Sequence, residues 1–418
     1  MGGKVLFVAY HFPPIQTSSG VHRVLAFSKY LKEHGWAVTV LTVKPYAYSD
    51  IRNENFELIP KYVNVVRAFA LETRRHLSFK GRYSGLMALP DQWQSWIVGG
   101  FISGLRSIWR ERPNVILSTY PIASAHCIAY FLHRVTGIPW VADLRDPMAQ
   151  DDYPTDPVVW KMFSWIEKKI FNYANKITVT TEGTAELYRK RYEASADKIV
   201  VIPNGFDEDC FSEIEHKVVD EFRNSEKITL LHSGLLYPKE RDPSNFFKAI
   251  AELKDEGHIE AQKVEIILRS SGNEDDYQQR INELGIDDVV FLKPSVPYKE
   301  AVSEMLAVDG LLIFQADNCN QQIPAKIYEY IYARKPILGL ATLQGDTGRL
   351  LHELGIPTIA ALEDAAQVKN ELHRFIQMIA DGNYQLPEES CVMRYSRRSG
   401  VETLAKVLNE VSRSNACS

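Results

Sequence analysis

The chain has 418 residues, of which 45% are hydrophobic and 24% are charged, and its formal net charge is −5. This length allows two or three domains, and the composition is that of a globular protein. The acidic balance argues against a general nucleic-acid binder, which would normally be basic. Five scattered cysteines and eleven histidines show no disulfide or metal-ligand spacing, so the sequence predicts neither a disulfide framework nor a metal site.

No segment predicts a membrane span or a leader peptide. The chain enters a strand within its first residues, and no apolar run approaches the roughly 18 residues that a bilayer requires. Residues 305–314 come nearest, but they are few and Asp309 interrupts them. The sequence therefore predicts a cytoplasmic protein, or one that binds peripherally to the inner face of a membrane.

The first half begins with a strand–loop–helix–strand order. Residues 5–9 are a continuous apolar run, typical of a strand covered on both faces, and residues 36–43 form the next apolar strand. A helix is predicted over residues 21–34 and ends at Gly35. The loop between them lacks G-x-G-x-x-G, so neither a dinucleotide cofactor nor a Rossmann oxidoreductase is indicated. Its Gly20 would let a ligand approach the backbone closely, although a glycine there is also an ordinary turn residue.

Residues 72–93 are irregular, basic and aromatic, and a helix is predicted from about 93 to 110. The helix carries aromatic and aliphatic residues that include Trp96, Ile108 and Trp109. With the cations of the preceding loop they would suit anionic lipid headgroups. The alternative is a helix that packs on the sheet after a surface loop. The cations concerned are Arg74, Arg75, Lys80 and Arg82.

Three charged side chains follow the predicted strand 140–142, at Asp143, Arg145 and Asp146. Ligands of open α/β sheets bind just beyond the carboxyl ends of the strands, where this predicted loop falls. A salt-bridge cluster within the loop would explain the same charges. The first half closes with a strand at 199–202 and a Pro-Asn-Gly-x-Asp turn at 203–207.

The second half repeats this architecture without a detectable sequence repeat. A strand is predicted at 228–232, followed by a turn at Gly234, the pair Arg241-Asp242 and a helix over 244–254. Arg241 suits a bidentate grip on phosphate oxygens, or forms a charge pair at the helix start. Further buried strands are predicted at 264–268, 289–292 and 310–314.

Residues 321–340 predict a loop, a helix of about three turns and a buried strand. Pro324 suits the first helical position, and Ile323, Ile327 and Ile331 form an inward stripe. Lys326 opposes the helix dipole unless an anion binds there, which predicts a phosphate site. Glu329, one turn on, would accept hydrogen bonds from a diol such as a ribose. A surface ion pair between Lys326 and Glu329 is the alternative.

Several ordered motifs together resemble family 4 glycosyltransferases, over nearly the whole chain. The last stretch resembles a subgroup with Pro-x-Lys-x-x-Glu-Tyr followed by Lys-Pro, and the subgroup also carries Asp-x-Arg-Asp-Pro and Arg-Asp-Pro. The family has a glutamate where this chain has Gln321. The matching residues are Pro13, Pro14, Ser19, Gly20, Arg23, Asp143, Arg145, Gly234, Arg241, Pro324, Lys326, Glu329, Tyr330, Lys335 and Pro336.

The resemblance implies the GT-B fold, an α/β architecture of two Rossmann-like domains that face each other across a cleft. It implies an acceptor domain over residues 1–205 and a donor domain over 206–389, with a final helix at about 390–418 that packs back on the first domain. It also implies a donor-binding set of Gly20, Gly234, Arg241, Ile323, Lys326 and Glu329, and a catalytic set of Asp143, Arg145, Arg241, Gln321 and Lys326.

The implied reaction moves a sugar from a nucleotide sugar, with UDP-sugars the expected donors, to an acceptor hydroxyl. Retention, no metal and no cofactor are implied, with a glycan or lipid-linked acceptor in bacterial polysaccharide or glycoconjugate synthesis. Two alternatives stay open. A GT-B nucleotide-sugar epimerase would turn over donor without acceptor, and a non-catalytic partner subunit, which Gln321 favours, would bind nucleotide poorly.

Overall fold

A computed structural model describes residues 2–15, 19–80, 82–150, 153–212 and 226–416. The chain divides into two compact units. The first comprises Met1–Pro203 with Arg397–Ser418, and the second comprises Asn204–Ser396. The predicted boundaries were residues 205 and 389. Part of the predicted Gly20 loop, residues 16–18, lies outside the described residues.

Each unit is built on a parallel β-sheet. The first sheet has the order β3-β2-β1-β4-β5-β6-β7 and the second has the order β10-β9-β8-β11-β12-β13. The strands are β1 (Lys4–Val8), β2 (Ala37–Val43), β3 (Asn64–Ala68), β4 (Val115–Thr119), β5 (Trp140–Arg145), β6 (Lys176–Val179), β7 (Ile199–Val201), β8 (Ile228–Ser233), β9 (Val264–Arg269), β10 (Val290–Lys293), β11 (Gly310–Phe314), β12 (Ile337–Leu340) and β13 (Ile359–Ala360).

Helices connect the strands and cover the sheets. They are α1 (Ser19–Tyr30), α2 (Thr73–His76), α3 (Ser95–Glu111), α4 (Ala123–Thr136), α5 (Pro157–Tyr173), α6 (Glu182–Arg191), α7 (Glu208–Ser212), α8 (Ser244–Asp255), α9 (Glu274–Glu283), α10 (Tyr298–Ala307), α11 (Lys326–Tyr332), α12 (Asp346–Glu353), α13 (Ala365–Ala380), α14 (Glu389–Met393) and α15 (Arg397–Ala416).

Both faces of the first sheet are covered, which explains why its central strand β1 is apolar from Val5 to Val8. One face packs against α3, α4 and α5 through residues such as Trp96 and Leu132. The other face packs against α1 and the final helix α15 through residues such as Phe27, Leu404 and Leu408. Helix α15 therefore belongs to the core of the first unit although it ends the chain.

The strand order fixes where a ligand can bind in each unit. In the first sheet the chain moves from β1 to β2 and β3 on one side and then returns to β4 on the other. The second sheet reverses in the same way between β8 and β11. Such a reversal opens a crevice at the carboxyl ends of the two neighbouring strands, where open α/β sheets bind their ligands.

Two local predictions were wrong. Asp143 and Arg145 were expected in a loop, but both lie inside β5, which is irregular between them where it pairs with β6. The helix expected to run for three turns from Pro324 spans only Lys326–Tyr332. Pro324 instead accepts a turn hydrogen bond from Ile327 N (3.1 Å), and Arg334 adopts a left-handed conformation (φ 58°) after the helix.

The apolar residues of α3 that were predicted to suit lipid headgroups lie on different sides of the helix. Trp96 is fully buried and Ile108 is nearly so, whereas Trp109 is 73% exposed. In the preceding loop Arg75 donates to the Tyr48 carbonyl and pairs with Glu72. Among the residues described, no helix is long and apolar enough to cross a membrane.

Candidate functional site

A buried ion pair between Arg23 of α1 and Asp143 of β5 fixes the crevice edge of the first unit. Arg23 Nη2 lies 2.9 Å from Asp143 Oδ1, and Arg23 Nε lies 3.1 Å from Oδ2. Thr119 and Thr178 each donate a hydroxyl to this carboxylate at 2.7 Å. Each carboxylate oxygen therefore already accepts two hydrogen bonds from side chains.

The electrostatics of Asp143 follow from this arrangement. Burial alone would raise the pKa of the Asp143 carboxyl, but the Arg23 charge and the hydrogen bonds from Arg23, Thr178 and Thr119 outweigh it and lower the pKa. Arg23 also donates to the carbonyl oxygens of Ile202 and Pro203, both at 3.1 Å. The pair thus ties α1 to β5 and to the chain leaving β7, which favours a positioning role for Asp143 over the predicted contact with the acceptor.

Arg145 and Gly20 lie together with a residue that the sequence analysis missed, His11. Arg145 has an unusual positive φ of 61°, and its buried Nε has no hydrogen-bond partner among the residues described. His11 Nδ1 is likewise buried without a partner in the described ranges. Burial, and secondarily the Arg145 charge, lower the pKa of His11 to about 4, so its imidazole is neutral near pH 7.

A side chain at Gly20 would collide with the His11 and Arg145 side chains. A Cβ at Gly20 would lie 2.6 Å from His11 Nδ1 and 3.1 Å from Arg145 Nη1. Glycine at the start of α1 therefore keeps the backbone close to both side chains. The backbone conformation at Gly20 is not itself unusual, so the requirement is for space.

We expect Gly20→Ala to lower the free energy of unfolding by about 1–3 kcal/mol, because the new methyl group must displace the His11 ring. Chemical denaturation of the purified variant measures this difference. Gly85→Ala is the matched control, since a Cβ there has no atom within 4 Å. Equal losses in the two variants would show that Gly20 has no special packing requirement.

In the second unit, Gly234 and His232 stand at the end of β8. Gly234 has φ 148°, which side-chain-bearing residues rarely adopt, so this turn requires glycine. His232 Nδ1 lies 2.9 Å from the Leu312 carbonyl oxygen, which can only accept, so Nδ1 carries the proton. His232 Nε2 is buried and unpartnered in the part of the chain described.

Arg241 lies in the turn after Gly234 and is a half-buried cation that forms no ion pair within the described structure. Its guanidinium makes one long hydrogen bond, from Nη1 to the Leu235 carbonyl at 3.3 Å, and its Nε is buried and unpaired within the described ranges. Burial lowers the pKa of Arg241. A desolvated guanidinium of this kind is suited to bind an anion.

Lys326 and Glu329 form the ion pair that the sequence offered as the alternative to a phosphate site. Lys326 Nζ lies 2.8 Å from Glu329 Oε2, and Tyr298 donates its hydroxyl to Oε1 at 2.9 Å. The Glu329 side chain is 7% exposed and that of Lys326 is 32% exposed. A lysine has three donors, so this pair leaves Lys326 able to contact an anion as well.

Two observations join these residues at the crevice of the second sheet. Tyr330 of α11 accepts a hydrogen bond from Ser233 N (2.8 Å), which ties the helix of Lys326 to the end of β8. Burial is the main reason that the pKa of His232 falls to about 4, and the charges of Arg241 and Lys326 lower it further. The charges of both cations therefore lower the pKa of the same buried imidazole, that of His232 beside Gly234.

The remaining predicted residues lie on the segment before α11. Gln321 is exposed, and Ile323 is half-buried against the core of the second unit rather than on the helix. Nearby, Gln315 Nε2 donates to the Cys319 carbonyl (2.9 Å), while Gln315 Oε1 is buried without a partner among described residues. The structure thus adds His232 and Gln315 to the predicted set.

Signals for the missed residues were present but weak. His11 follows β1, His232 lies at the end of β8 and Gln315 follows β11, so each lies at a strand that borders a topological reversal. No group of three or more His, Cys, Asp or Glu residues in the described ranges is placed to hold a metal ion.

Each of the two parallel sheets therefore has a crevice at the carboxyl ends of its central strands, which is where open α/β sheets bind ligands. In sequence comparison, residues 20–205 match the model of the glycosyl transferase 4-like domain. D-inositol 3-phosphate glycosyltransferase of Corynebacterium aurimucosum is 27% identical over 201 residues, 44% of this chain and 47% of the relative. The match spans about half the length of that curated relative.

Solved structures cover both units. Sucrose-phosphate synthase from Thermosynechococcus elongatus matches 99% of this chain and 100% of its own, with TM-score 0.68 and 12% identity. Anabaena HepE, solved with UDP and glucose, matches 98% and 100%, with TM-score 0.66 and 14% identity. UDP-GlcNAc 2-epimerase from Methanocaldococcus jannaschii matches 97% and 99%, with TM-score 0.60 and 11% identity. The predicted GT-B fold is confirmed.

Proposed function

We propose that this protein is a glycosyltransferase that moves a sugar from a nucleotide-sugar donor to an acceptor hydroxyl. The observation that carries the proposal is the pair of cations at the crevice of the second unit. Arg241 forms no ion pair among the residues described, and its Nε is buried without a hydrogen-bond partner there. The charges of Lys326 and Arg241 both lower the pKa of the His232 imidazole. The glycosyl transferase 4-like match over residues 20–205 supplies the class of chemistry.

In the proposed reaction, this site stabilises the nucleoside diphosphate as it leaves the sugar. Arg241 and Lys326 take the charge that develops on the diphosphate, and the Gly234 turn lets the phosphates approach the backbone. Glu329, held by Tyr298 and Lys326, accepts hydrogen bonds from the ribose. The two cations supply the countercharge, so the proposal includes metal independence and, from the resemblance, retention of anomeric configuration.

In the first unit, Arg145 and the backbone near Gly20 contact the acceptor side or the transferred sugar. Arg145 carries a strained backbone and an unpaired buried Nε in the described structure, and such strain often accompanies function. Asp143 acts through Arg23 and β5 as a positioning residue. Gln321 replaces the family's glutamate with a neutral amide, which hydrogen-bonds a sugar hydroxyl without adding charge and so alters sugar preference.

The test is a thermal-shift titration with UDP, GDP and their glucose conjugates, each with and without a chelator. Stabilisation by a nucleoside diphosphate that persists with chelator supports the donor site and identifies the base. The donor that binds is then incubated with and without candidate acceptor glycans. Turnover that requires an acceptor supports transfer, whereas conversion of the donor sugar without acceptor would identify an epimerase.

Absence of any nucleotide shift in the folded protein would contradict the proposal and favour a non-catalytic partner subunit. UDP-sugars are the proposed donors because HepE was solved with UDP and glucose. A glycan or lipid-linked acceptor, a role in bacterial polysaccharide or glycoconjugate synthesis and a cytoplasmic location complete the proposal. No organic cofactor is required for the reaction proposed.

A further inference from the structure

Helices α3, α4 and α5 cover one face of the first sheet, and their outward sides carry large apolar residues. On α3, Val98, Ile102 and Trp109 recur at helical spacing and are 65%, 44% and 73% exposed. A helix that packs one side on a sheet normally presents polar residues on its other side. The outward stripe of α3 is therefore unusual for a surface that faces water alone.

The apolar surface continues across the neighbouring helices. Phe131 on α4 is 40% exposed and Trp165 on α5 is 42% exposed. The Phe101 and Phe131 rings lie 6.5 Å apart and join α3 to α4. The Tyr130 and Trp165 rings lie 6.4 Å apart and join α4 to α5. These contacts make one surface, the α3–α5 face.

The charged residues of the α3–α5 face are almost all basic, although the whole chain has a net charge of −5. The acidic residues on the three helices are Glu167, which is fully buried, and Glu111, which pairs with Arg110 at 3.3 Å. The basic residues on the three helices are Arg106, Arg110, Arg134, Lys161, Lys168 and Lys169; directly outside the helices, Arg112 follows α3 and the exposed Asp156 precedes α5.

We propose that the α3–α5 face docks on a membrane surface that carries anionic lipid headgroups. Trp109 and Trp165 would enter the interfacial layer while the surrounding cations contact the headgroups. Lys169 Nζ lies 5.4 Å from the centroid of the Trp165 ring, so this cation and this aromatic side chain would reach the membrane surface together. A symmetric contact with a second copy is disfavoured, because it would bring the same cations against one another.

The contact is interfacial and independent of the proposed transferase activity, since it needs neither donor nor acceptor. The test is co-sedimentation of the full chain with vesicles of phosphatidylcholine, with or without phosphatidylglycerol. We expect binding to the phosphatidylglycerol vesicles, weakened by added salt because the exposed cations become screened. Binding to neither vesicle, or equal salt-insensitive binding to both, would overturn the proposal.

Two pairs of substitutions locate the contact. Trp109→Glu with Trp165→Glu should lower the vesicle partition coefficient by about tenfold or more, because the interfacial aromatic area is lost. Lys161→Glu with Lys168→Glu should lower it by at least about tenfold through charge reversal. All four side chains are exposed, and the less exposed of the two tryptophans, Trp165, is 42% exposed. Circular dichroism of the variants should therefore show an unchanged fold.

Matched controls lie in the second unit. Tyr384 is 41% exposed and Lys248 is exposed, and their replacement by glutamate should leave vesicle binding unchanged. Wild-type binding by both α3–α5 double variants would show that the face is not the contact. If light scattering instead finds a wild-type dimer that these variants dissociate, and no vesicle binding occurs, the face is a protein interface and the proposal is wrong.

Discussion

Arg241→Ala is expected to weaken nucleoside diphosphate binding by about 10- to 150-fold, the effect of losing charge-assisted hydrogen bonds worth about 1.5–3 kcal/mol. The guanidinium lies at the crevice beside Gly234 and makes a single 3.3 Å hydrogen bond within the described structure. Isothermal titration with the diphosphate that stabilises the wild type measures the loss.

The stability of the Arg241→Ala variant separates a functional charge from a structural one. Burial lowers the pKa of Arg241, so its charge is desolvated in the folded protein. Removal of a half-buried charge that forms no ion pair with the described residues should leave the unfolding free energy of the ligand-free protein unchanged or slightly increased. Lower affinity without lower stability is therefore the expected signature.

A matched control lies beside β13, the edge strand of the same sheet. Arg374 is half exposed, pairs with Glu371 and donates to the Pro357 carbonyl before β13. Arg374→Ala removes the same charge and should leave nucleotide affinity unchanged. If Arg241→Ala binds the diphosphate as tightly as the wild type does, Arg241 does not contact phosphate and the donor site must be placed elsewhere.

Lys326→Ala should act in the same direction with a smaller effect, about tenfold or less, because Lys326 already pairs with Glu329. Its side chain is 32% exposed, so loss of the pair should change the unfolding free energy by less than about 1 kcal/mol. The same titration measures both variants. Unaltered affinity in Lys326→Ala would assign the lysine to the ion pair alone.

Local pattern predicted the strands well because both sheets are covered on both faces. Strand β1 appears in the sequence as a continuous apolar run, and the structure buries all of its residues except Lys4. The helix start and Gly35, which ends the following 3-10 turn in a left-handed conformation (φ 78°), also follow local rules. Such features depend on residues close in sequence.

The prediction at β5 was wrong because its partners are distant in sequence. A charged residue after an apolar run normally indicates a loop, but Asp143 is held inside the strand by Arg23, Thr119 and Thr178. These partners lie 120, 24 and 35 positions away. Nothing in the local sequence indicates that a buried carboxylate would find three such donors.

The positions of His11 and His232 beside the crevices were not predicted, for a related reason. A single histidine beside an apolar strand usually packs in a core, and only the strand order shows that both residues border a crevice. The donor and acceptor roles of the predicted residues, from Gln321 to Glu329, stay predictions because residue identity does not specify the ligand. The strand order alone indicates where each sheet opens a crevice.

Asp143→Ala is expected to lower the unfolding free energy by about 3–5 kcal/mol, the largest stability effect predicted for this chain. The substitution leaves the buried Arg23 guanidinium without its carboxylate and removes the acceptor for the Thr119 and Thr178 hydroxyls. Urea denaturation of the variant measures the loss. Glu260→Ala, which breaks an exposed pair with Lys263, should change stability by about 1 kcal/mol or less.

The pH dependence provides a second measurement of the same pair. The pKa of Asp143 in the folded protein lies below its ordinary value of 3.8, so the unfolded chain takes up a proton first as the pH falls. The stabilisation is therefore complete well above pH 3.8 and is lost as the pH falls through the lowered pKa. The difference in unfolding free energy between wild type and Asp143→Asn should then be constant near neutrality and shrink in acid. A difference that stays constant, or grows, as the pH falls below the ordinary value would show that the charge of Asp143 does not stabilise the fold.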